Sequence, residues 1–153
     1  MRRTLAACGG FLLAVLWFDL MFDVQVLPYR GAPLLPEDVL VSIAAYYRRV
    51  TTDAFPMDRL IAAVMLITVA GSVYVLLRAR THRWRAGLAL TLCAAPITLA
   101  AVRVLPNAVR LGTRADSIAV QTELARTICD DHLICWVLIG AFVALQLIDR
   151  RQA

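Results

Sequence analysis

The sequence predicts an all-α membrane protein, a bundle of four transmembrane helices with an amphipathic helix in the first outer loop. Two observations predict this fold class. Hydrophobic residues make up 61% of the 153 residues, whereas a soluble domain has roughly 45–50%. Four segments also approach the length of about 20 apolar residues that is needed to cross the hydrocarbon core of a bilayer. We therefore expect residues 1–153 to form a single membrane domain.

The predicted spans cover residues 5–27, 60–77, 87–105 and 130–148. The apolar part of the fourth span, Leu133–Ile148, is short for a helix that crosses a membrane. We expect this helix to begin earlier, because Asp116 and Ser117 can cap a helix whose apolar stripe starts at Ile118. Pro96 lies inside the third span and should kink it, since proline cannot donate a backbone hydrogen bond.

The connection between the first two spans predicts an amphipathic helix over residues 37–50. Its apolar residues share one helical face: Val39, Leu40, Ile43, Tyr46, Tyr47 and Val50. Acidic residues stand at the start of this segment and Arg48 and Arg49 at its end, as the helix dipole favours. The helix should lie on the outer membrane surface or cap the bundle, with Tyr46 and Tyr47 at the depth of the lipid headgroups.

The distribution of charge predicts the orientation of the chain. Eight arginines flank the spans on one side: Arg2, Arg3, Arg78, Arg80, Arg83, Arg85, Arg150 and Arg151. Only Asp149 opposes them, whereas the other side carries arginines and acidic residues in equal number. Arginine-rich short connections stay in the cytoplasm, so we expect both termini on the cytoplasmic side of a bacterial inner membrane. Nucleic acid is not an expected partner, because the charges flank apolar segments and form no basic stripe.

Neither a metal nor a cofactor is expected. The four cysteines are Cys8, Cys93, Cys129 and Cys135, and none forms a C-x-x-C pair. We expect all four to be small buried apolar residues. The two histidines, His82 and His132, fall at opposite ends of the bundle and cannot bind one metal or haem together.

The most informative residues are Asp19 and Asp23 in the first span. An ionisable group within a span costs about 2.5–3.5 kcal/mol on insertion scales and often marks a function. Their spacing of four residues places both carboxylates on one helical face. At 1.5 Å per residue they lie about 21 and 27 Å beyond Leu5, in the outer half of the bilayer. Two carboxylates this close favour a shared proton or cation.

Other charged residues should reach the same depth as these carboxylates. Arg103 lies about 24 Å beyond Gly87 along the third span. Asp58 and Arg59 open the second span, and Asp131 and His132 open the fourth. The outer third of the bundle is thus predicted to be charged and the inner half almost wholly apolar.

Two interpretations of this charged region stay open. In the structural interpretation, Asp19 or Asp23 pairs with Arg103 or Arg59. In the functional one, a crevice binds a substrate, a proton or a cation. The candidate catalytic residues are Asp19, Asp23, Arg103 and His132. The candidate ligand-binding residues are Arg59, Asp58, Asp131 and Asn107. A carboxylate or His132 would remove a proton, and Arg103 or Arg59 would stabilise an oxyanion.

Several short motifs resemble one family of small membrane proteins. They are Val26-Leu27-Pro28, Pro56-Met57-Asp58-Arg59-Leu60, Arg83-Trp84-Arg85, Pro96-Ile97-Thr98-Leu99 and Val104-Leu105-Pro106-Asn107. In these motifs and in its four spans the chain resembles the anthrone oxygenase-like family. The resemblance implies a cofactor-free oxygenation of a lipophilic phenolic substrate, and it assigns no catalytic residue.

Three functions are predicted. The first is an accessory membrane subunit, or a binder of a lipophilic molecule, whose partners are the lipid bilayer and other membrane subunits or further copies of this chain. It follows from the lack of cofactor ligands and of a recognisable nucleophile–base arrangement. The alternative is the membrane oxygenase or a related enzyme. A further alternative is a proton- or cation-coupled transporter, which would need an oligomer because the inner half offers no polar path.

Overall fold

A computed structural model describes residues 1–81 and 83–148, and all regular secondary structure in these residues is helical. The elements are α1 (Arg2–Asp23), a 3₁₀ segment (Val24–Tyr29), α2 (Glu37–Thr52), α3 (Met57–Arg78), α4 (Arg83–Leu99), a π-helical segment (Ala100–Val104), α5 (Leu105–Thr113) and α6 (Ile118–Ile148). The predicted all-α fold is confirmed. The predictions for His82, Asp149, Arg150 and Arg151 fall outside the described residues.

Four helical stretches in the described residues are long and apolar enough to cross a membrane. They are Arg2–Tyr29, Met57–Arg78, Arg83–Thr113 and Ile118–Ile148, with mean hydropathies of 2.0, 2.5, 2.0 and 1.9 in their most apolar windows. No more than 33% of any window is buried inside the protein. Apolar residues that face outward in such numbers need lipid around them, so the chain is a multi-pass membrane protein.

The third and fourth stretches are longer than a bilayer requires. Each contains 31 residues, which is about 46 Å of helix at 1.5 Å per residue, against a hydrocarbon core of about 30 Å. The fourth helix starts at Ile118. It therefore begins well before Leu133, as the sequence predicted. The Ser117 hydroxyl oxygen lies 3.5 Å from the backbone nitrogen of Val120, in the position of an N-terminal cap. Both helices therefore extend beyond the hydrocarbon at one end.

We call the end of the bundle with the connection between α3 and α4 its inner half and the opposite end, covered by α2, its outer end. The inner half has an apolar core of its own. Leu5, Leu12, Cys93, Ile139 and Phe142 are its buried members on α1, α4 and α6. The helices α1 and α6 approach closely at Gly9, where a Cβ atom would lie 2.6 Å from Cγ2 of Val143. The absence of a side chain at this position lets the two helices pack along their length.

A second core lies at the outer end, where α2 covers α5 and the first half of α6. Leu40, Ile43, Leu111 and Ile128 are fully buried there. At Gly112 a Cβ atom would lie 3.0 Å from the backbone nitrogen of Arg48, so α2 and α5 are in backbone contact. Of the two positions predicted for α2, the structure has the cap on the bundle and not the helix on the membrane surface.

The irregularity predicted at Pro96 lies one turn later. The chain remains α-helical through Pro96 and widens into the π-helical segment Ala100–Val104. The carbonyl oxygen of Pro96 accepts a weak hydrogen bond from the thiol of Cys135, 3.5 Å away on α6. The π-helical segment carries Arg103, and single π-turns within helices occur frequently at functional sites.

One prediction about the cysteines needs correction. Cys93, Cys129 and Cys135 are buried, whereas Cys8 is only half-buried. Cys8 is adjacent to the buried contact of Gly9 with α6, and successive residues of a helix point about 100° apart. Its thiol therefore lies at the edge of the helix contact.

Candidate functional site

Charged and tyrosine side chains meet where the end of α1, the middle of α2 and the middle of α6 come together. His132 lies sixteen residues before Ile148, the inner end of α6, which is about 24 Å of helix. Asp23 lies about 31 Å beyond Arg2 by the same measure. The cluster therefore sits close to the outer boundary of the hydrocarbon core, directly beneath the cap formed by α2.

Asp23 is the buried centre of the cluster, with none of its surface exposed. Its Oδ1 accepts a hydrogen bond of 2.6 Å from the hydroxyl of Tyr47. Its Oδ2 lies 2.6 Å from Nδ1 of His132. A carboxylate oxygen can only accept, so Nδ1 carries the hydrogen of this bond. Asp23 thereby fixes the orientation of the imidazole ring.

The other nitrogen of His132 faces the second carboxylate. Nε2 lies 3.8 Å from Oδ2 of Asp19, beyond hydrogen-bond distance. A carboxylate held on Nδ1 leaves Nε2 free to accept a proton, which is the arrangement of a histidine general base oriented by an aspartate. The position between Nε2 and Asp19 is where a proton would be exchanged.

Asp19 is the accessible member of the cluster. Its side chain is 18% exposed, whereas those of His132 and Asp23 are 5% and 0% exposed. Its Oδ1 accepts a hydrogen bond of 2.6 Å from the hydroxyl of Tyr46. The ring of Tyr46 stacks on Phe22 with 4.1 Å between ring centroids. A molecule that approaches the cluster therefore meets Asp19 first.

The two tyrosines of α2 act as hydrogen-bond donors from the cap. Burial raises the pKa of Tyr46, and the neighbouring carboxylate of Asp19 raises it further. Burial also raises the pKa of Tyr47, with the negative charge of Asp23 as the second cause. Both hydroxyls therefore keep their protons at neutral pH.

Tyr46 and Tyr47 were predicted to lie at the depth of the lipid headgroups, and of the two Tyr47 is buried, with only 2% of its surface exposed. Its hydroxyl turns inward because a buried carboxylate needs a donor and α2 lies directly above it. The helical pattern showed that these residues share the apolar face of α2. What it did not show is that this face covers Asp19 and Asp23.

A second charged pair joins α6 to the π-helical segment beside the cluster. Oδ2 of Asp131 is 3.0 Å from Nε of Arg103, with the aspartate side chain 3% and the arginine side chain 54% exposed. Oδ2 of Asp131 nevertheless accepts no hydrogen bond. The two groups are close enough to form an ion pair, but the N–H of Arg103 does not point at the oxygen.

The predicted pairing of Asp19 or Asp23 with Arg103 or Arg59 is therefore wrong. The two carboxylates of α1 have tyrosine hydroxyls and His132 as partners instead. The physical reason is the rotation of α6. Asp131 and His132 are consecutive, so their side chains point about 100° apart, one towards the π-helical segment and one towards α1.

The remaining candidate residues lie away from the cluster. Arg59 is exposed at the start of α3, with its guanidinium 5.0 Å from the ring centre of Phe55. Asp58 is exposed beside it. Asn107 lies on α5, one turn beyond Arg103, and is half-buried. The structure thus joins Asp19, Asp23 and His132 in one site and Arg103 with Asp131 in another.

The cluster has the groups that are needed to move one proton. In residues 1–81 and 83–148, no three histidine, cysteine or acidic side chains are grouped so that they could hold a metal. Nε2 of His132 can take a proton from a weak acid that reaches Asp19, and the carboxylate of Asp19 can stabilise the imidazolium that forms. No protein-family model, no curated protein and no solved structure matches this chain.

Proposed function

We propose that this chain is a membrane enzyme in which His132 is the general base for a lipophilic weak acid. The observation that carries the proposal is the orientation of the imidazole. Nδ1 is held at 2.6 Å by the buried carboxylate of Asp23, and Nε2 points towards the partly exposed Asp19, 3.8 Å away.

The surroundings favour His132 as the base over its neighbours. Both oxygens of Asp23 already have donors. Tyr46 and Tyr47 keep their protons, since burial and the adjacent carboxylates raise their pKa. Asp19 is better placed to stabilise the imidazolium once His132 is charged, because opposite charges nearby favour the charged form.

The substrate class follows from the medium around this part of α1. Trp17, Phe18 and Met21 lie on the opposite side of the same turns from Asp19 and are 57–62% exposed, so lipid surrounds the helix at this depth. A molecule that reaches Asp19 from the bilayer moves through lipid and must be largely apolar. It also needs one proton acidic enough for an imidazole to remove, as a phenol or an activated methylene group has.

The resemblance to the anthrone oxygenase-like family agrees with this class. In a cofactor-free oxygenation, the base removes a proton from a methylene group activated by a neighbouring ring, and the resulting carbanion reacts with molecular oxygen. The methylene becomes a carbonyl, and the second oxygen atom leaves as water. In this proposal oxygen is the co-substrate, and the protein supplies the base and its orientation.

The proposal can be tested with a long-chain alkyl nitrophenol, whose phenolate absorbs visible light. The protein in lipid nanodiscs would be titrated with this probe at a pH below the pKa of the lipid-bound phenol. We expect the wild-type protein to increase the phenolate absorbance and H132Q to abolish the increase. D38N is the matched control, because Asp38 is an exposed acid of α2.

The variant D19N provides a second test that does not depend on the folding of H132Q. Asparagine at position 19 can still accept the hydrogen bond from Tyr46, so the fold should persist. Without the carboxylate the imidazolium is less stable, and the phenolate signal should fall. A folded H132Q protein that gives the wild-type phenolate signal would exclude His132 as the base.

We infer that the site opens on the outer side of a bacterial inner membrane. The support is the charge asymmetry of the sequence, in which the short connection between α3 and α4 carries Arg78, Arg80, Arg83 and Arg85. Such a connection stays in the cytoplasm. The cap and the cluster would then face the outer leaflet.

The prediction of an accessory subunit is a second candidate, favoured by the exposure of α3. None of the residues in its outer third, from Met57 to Ala63, is buried. Another membrane subunit or a second copy of this chain could cover this surface. Gentle purification from the native membrane tests it: a partner in fixed stoichiometry supports the accessory function, and a chain that is recovered alone opposes it.

The transporter alternative has less support. Thr68 and Ser72 are buried polar residues of the inner half. Their hydroxyls donate to the carbonyls of Val64 and Thr68 within the same helix, so they are already satisfied. A continuous proton path through the inner half would need groups from a second copy.

A further inference from the structure

The ion pair of Arg103 with Asp131 takes no part in the proposed proton transfer to His132. We propose that Arg103 and Asn107 bind the oxyanion of a long-chain amphiphile in the outer leaflet, with Asp131 holding the arginine in place. The shared chemistry is a carboxylate or phosphate carried on an acyl chain. This site goes beyond the proposed function and does not depend on His132.

The geometry of Arg103 leaves its binding end free. Its Nε lies on the Asp131 side, 3.0 Å from Oδ2. In the part of the chain that the structure describes, Asp131 is the only charged partner of Arg103. The side chain of Arg103 is 54% exposed. The two terminal nitrogens of a guanidinium form a planar fork that matches a carboxylate or phosphate. An oxyanion can occupy this fork while Nε stays on Asp131.

Asp131 is an independent sign that the pair is incomplete. The residue is 2% exposed, and its Oδ2 has no hydrogen-bond donor. A buried unsatisfied carboxylate oxygen is costly, and such atoms are usually paired in native proteins. An anion at the fork would orient the guanidinium plane and direct the Nε hydrogen towards Oδ2. Ligand binding would then satisfy both groups together.

The position of Arg103 matches that of lipid headgroups. It lies twenty residues beyond Arg83, about 30 Å along the helix, which equals the thickness of the hydrocarbon core. Val102 is 69% exposed beside it, and Ala95 and Thr98 are exposed nearer the membrane centre, so an acyl chain can lie against this part of the helix.

Asn107 supplies a second donor one turn further out. Its side chain is half-buried and makes no hydrogen bond to another described residue. The spacing of four residues puts its amide on roughly the same helical face as Arg103. The guanidinium fork and the amide N–H groups together form a donor set for one oxyanion.

The site can be tested with spin-labelled lipids. The protein would be reconstituted in phosphatidylcholine vesicles with traces of spin-labelled stearic acid, phosphatidylglycerol or phosphatidylcholine. Electron paramagnetic resonance then measures the fraction of label that is motionally restricted by the protein. We expect stearate, phosphatidylglycerol or both to associate more strongly than phosphatidylcholine. One arginine near the membrane surface is worth about a fivefold change in association, and R103Q should remove it.

A matched control is available on the same helix. The guanidinium of Arg110 is already neutralised by Asp116, because Nε and one terminal nitrogen each donate a hydrogen bond of 2.8 Å to that carboxylate, so R110Q should leave lipid association unchanged. R103K keeps the charge beside Asp131 and loses the fork, and should weaken association less than R103Q. The double variant R103Q/D131N removes both charges and avoids an unpaired buried carboxylate.

The outcomes separate the two sources of the oxyanion. Preference for stearate alone assigns a fatty-acid carboxylate, preference for phosphatidylglycerol alone assigns a phospholipid phosphate, and either supports the site if R103Q and R103Q/D131N abolish it. Equal association of the three labels with the wild-type protein overturns the proposal. A preference that R103Q and the double variant both retain also overturns it.

Discussion

Asp19 and Asp23 occupy successive turns of α1, yet their carboxylates have different surroundings. Asp23 has no exposed surface and accepts from two donors, the Tyr47 hydroxyl and Nδ1 of His132. Asp19 accepts from Tyr46 and is partly open. Both oxygens of Asp23 are thus in use inside the protein, whereas Asp19 keeps part of its surface open. We therefore expect Asp23 to matter more for the stability of the fold than Asp19.

This difference predicts unequal effects of the two asparagine variants. In D23N one side-chain oxygen becomes an NH2 group that faces a donor, so a buried bond is lost and the free energy of unfolding should fall by about 3 kcal/mol. In D19N the remaining oxygen can still accept from Tyr46, and the loss should be about 1 kcal/mol. Denaturant unfolding in detergent, followed by circular dichroism, measures both. Equal losses would contradict the division of roles, and D38N should be neutral.

Tyr47 predicts a loss of stability at alkaline pH. Burial and the charge of Asp23 raise its folded-state pKa above the unfolded value of about 10. The contribution to stability is therefore fully present below pH about 10 and is lost as the pH rises towards the folded pKa, by up to about 1.4 kcal/mol per pH unit.

The variant Y47F removes this titration. It leaves Oδ1 of Asp23 without its donor, so stability at neutral pH should fall by about 1–3 kcal/mol. Above pH about 10 its stability should then fall less steeply than that of the wild type. Y74F is the control, because Tyr74 is exposed on α3 and lies beside Arg78. A Y47F protein with the wild-type alkaline slope would show that Tyr47 is not the titrating group.

At this scale the sequence predicted the members of the site better than their contacts. The spacing of Asp19 and Asp23 placed them on one face, and counting residues placed His132 at a similar depth. The choice of partners could not be predicted, because it depends on the rotation of α6. A rotation of one residue would exchange the neighbours of Asp131 and His132.

At the scale of elements, the bounds of a helix are easier to predict inside the lipid than beyond it. Inside the lipid the residues must be apolar, whereas the parts of the helices that extend past the bilayer carry no such signal. Residues 60–77 were predicted for the second span, and α3 is Met57–Arg78. Residues 87–105 were predicted for the third, but the helix continues through α5 to Thr113. Pro106 follows Leu105 directly. Proline is tolerated in the first turn of a helix, and here it stands at the start of α5.

The packing of α1 on α6 predicts opposite effects of two adjacent substitutions. A Cβ atom at Gly9 would lie 2.6 Å from Cγ2 of Val143, and valine has little rotamer freedom in a helix. We expect G9A to lower the free energy of unfolding by about 1–3 kcal/mol through overpacking. At Gly10 nothing lies within 4 Å, so G10A should be neutral or stabilise by up to about 1 kcal/mol.

The two glycine variants are matched controls for each other, since they add the same methyl group to consecutive residues of one helix. Thermal unfolding in the same detergent compares them directly. If G9A and G10A had equal melting temperatures, the close contact of α1 with α6 would not be a determinant of stability.

At the scale of the whole molecule, the chain has two cores with different solvents around them. The inner core packs between α1, α4 and α6 at a depth where lipid surrounds the bundle, and the outer core packs beneath α2. Ion pairs lie in the outer part, where Arg30 and Asp130 are both exposed and half-buried Arg114 pairs with exposed Glu37. The charged cluster lies where the two cores meet, beneath the cap formed by α2.

The orientation of the bundle is the last prediction, and the accessibility of two connections tests it. Thr81 lies exposed between α3 and α4, and Ala115 lies exposed between α5 and α6. The arginines beside Thr81 predict that it is cytoplasmic, and Ala115 should then face outward, because the helix from Arg83 to Thr113 crosses the membrane. In a background with Cys8 replaced by serine, we expect an impermeant maleimide to label A115C on intact cells and T81C only after permeabilisation.

Cys93, Cys129 and Cys135 are buried, and the background protein without added cysteines reports any labelling of them. Labelling of both positions from the same side would refute the four-span topology, whereas labelling of T81C alone on intact cells would invert the orientation and place the cluster at the cytoplasmic leaflet.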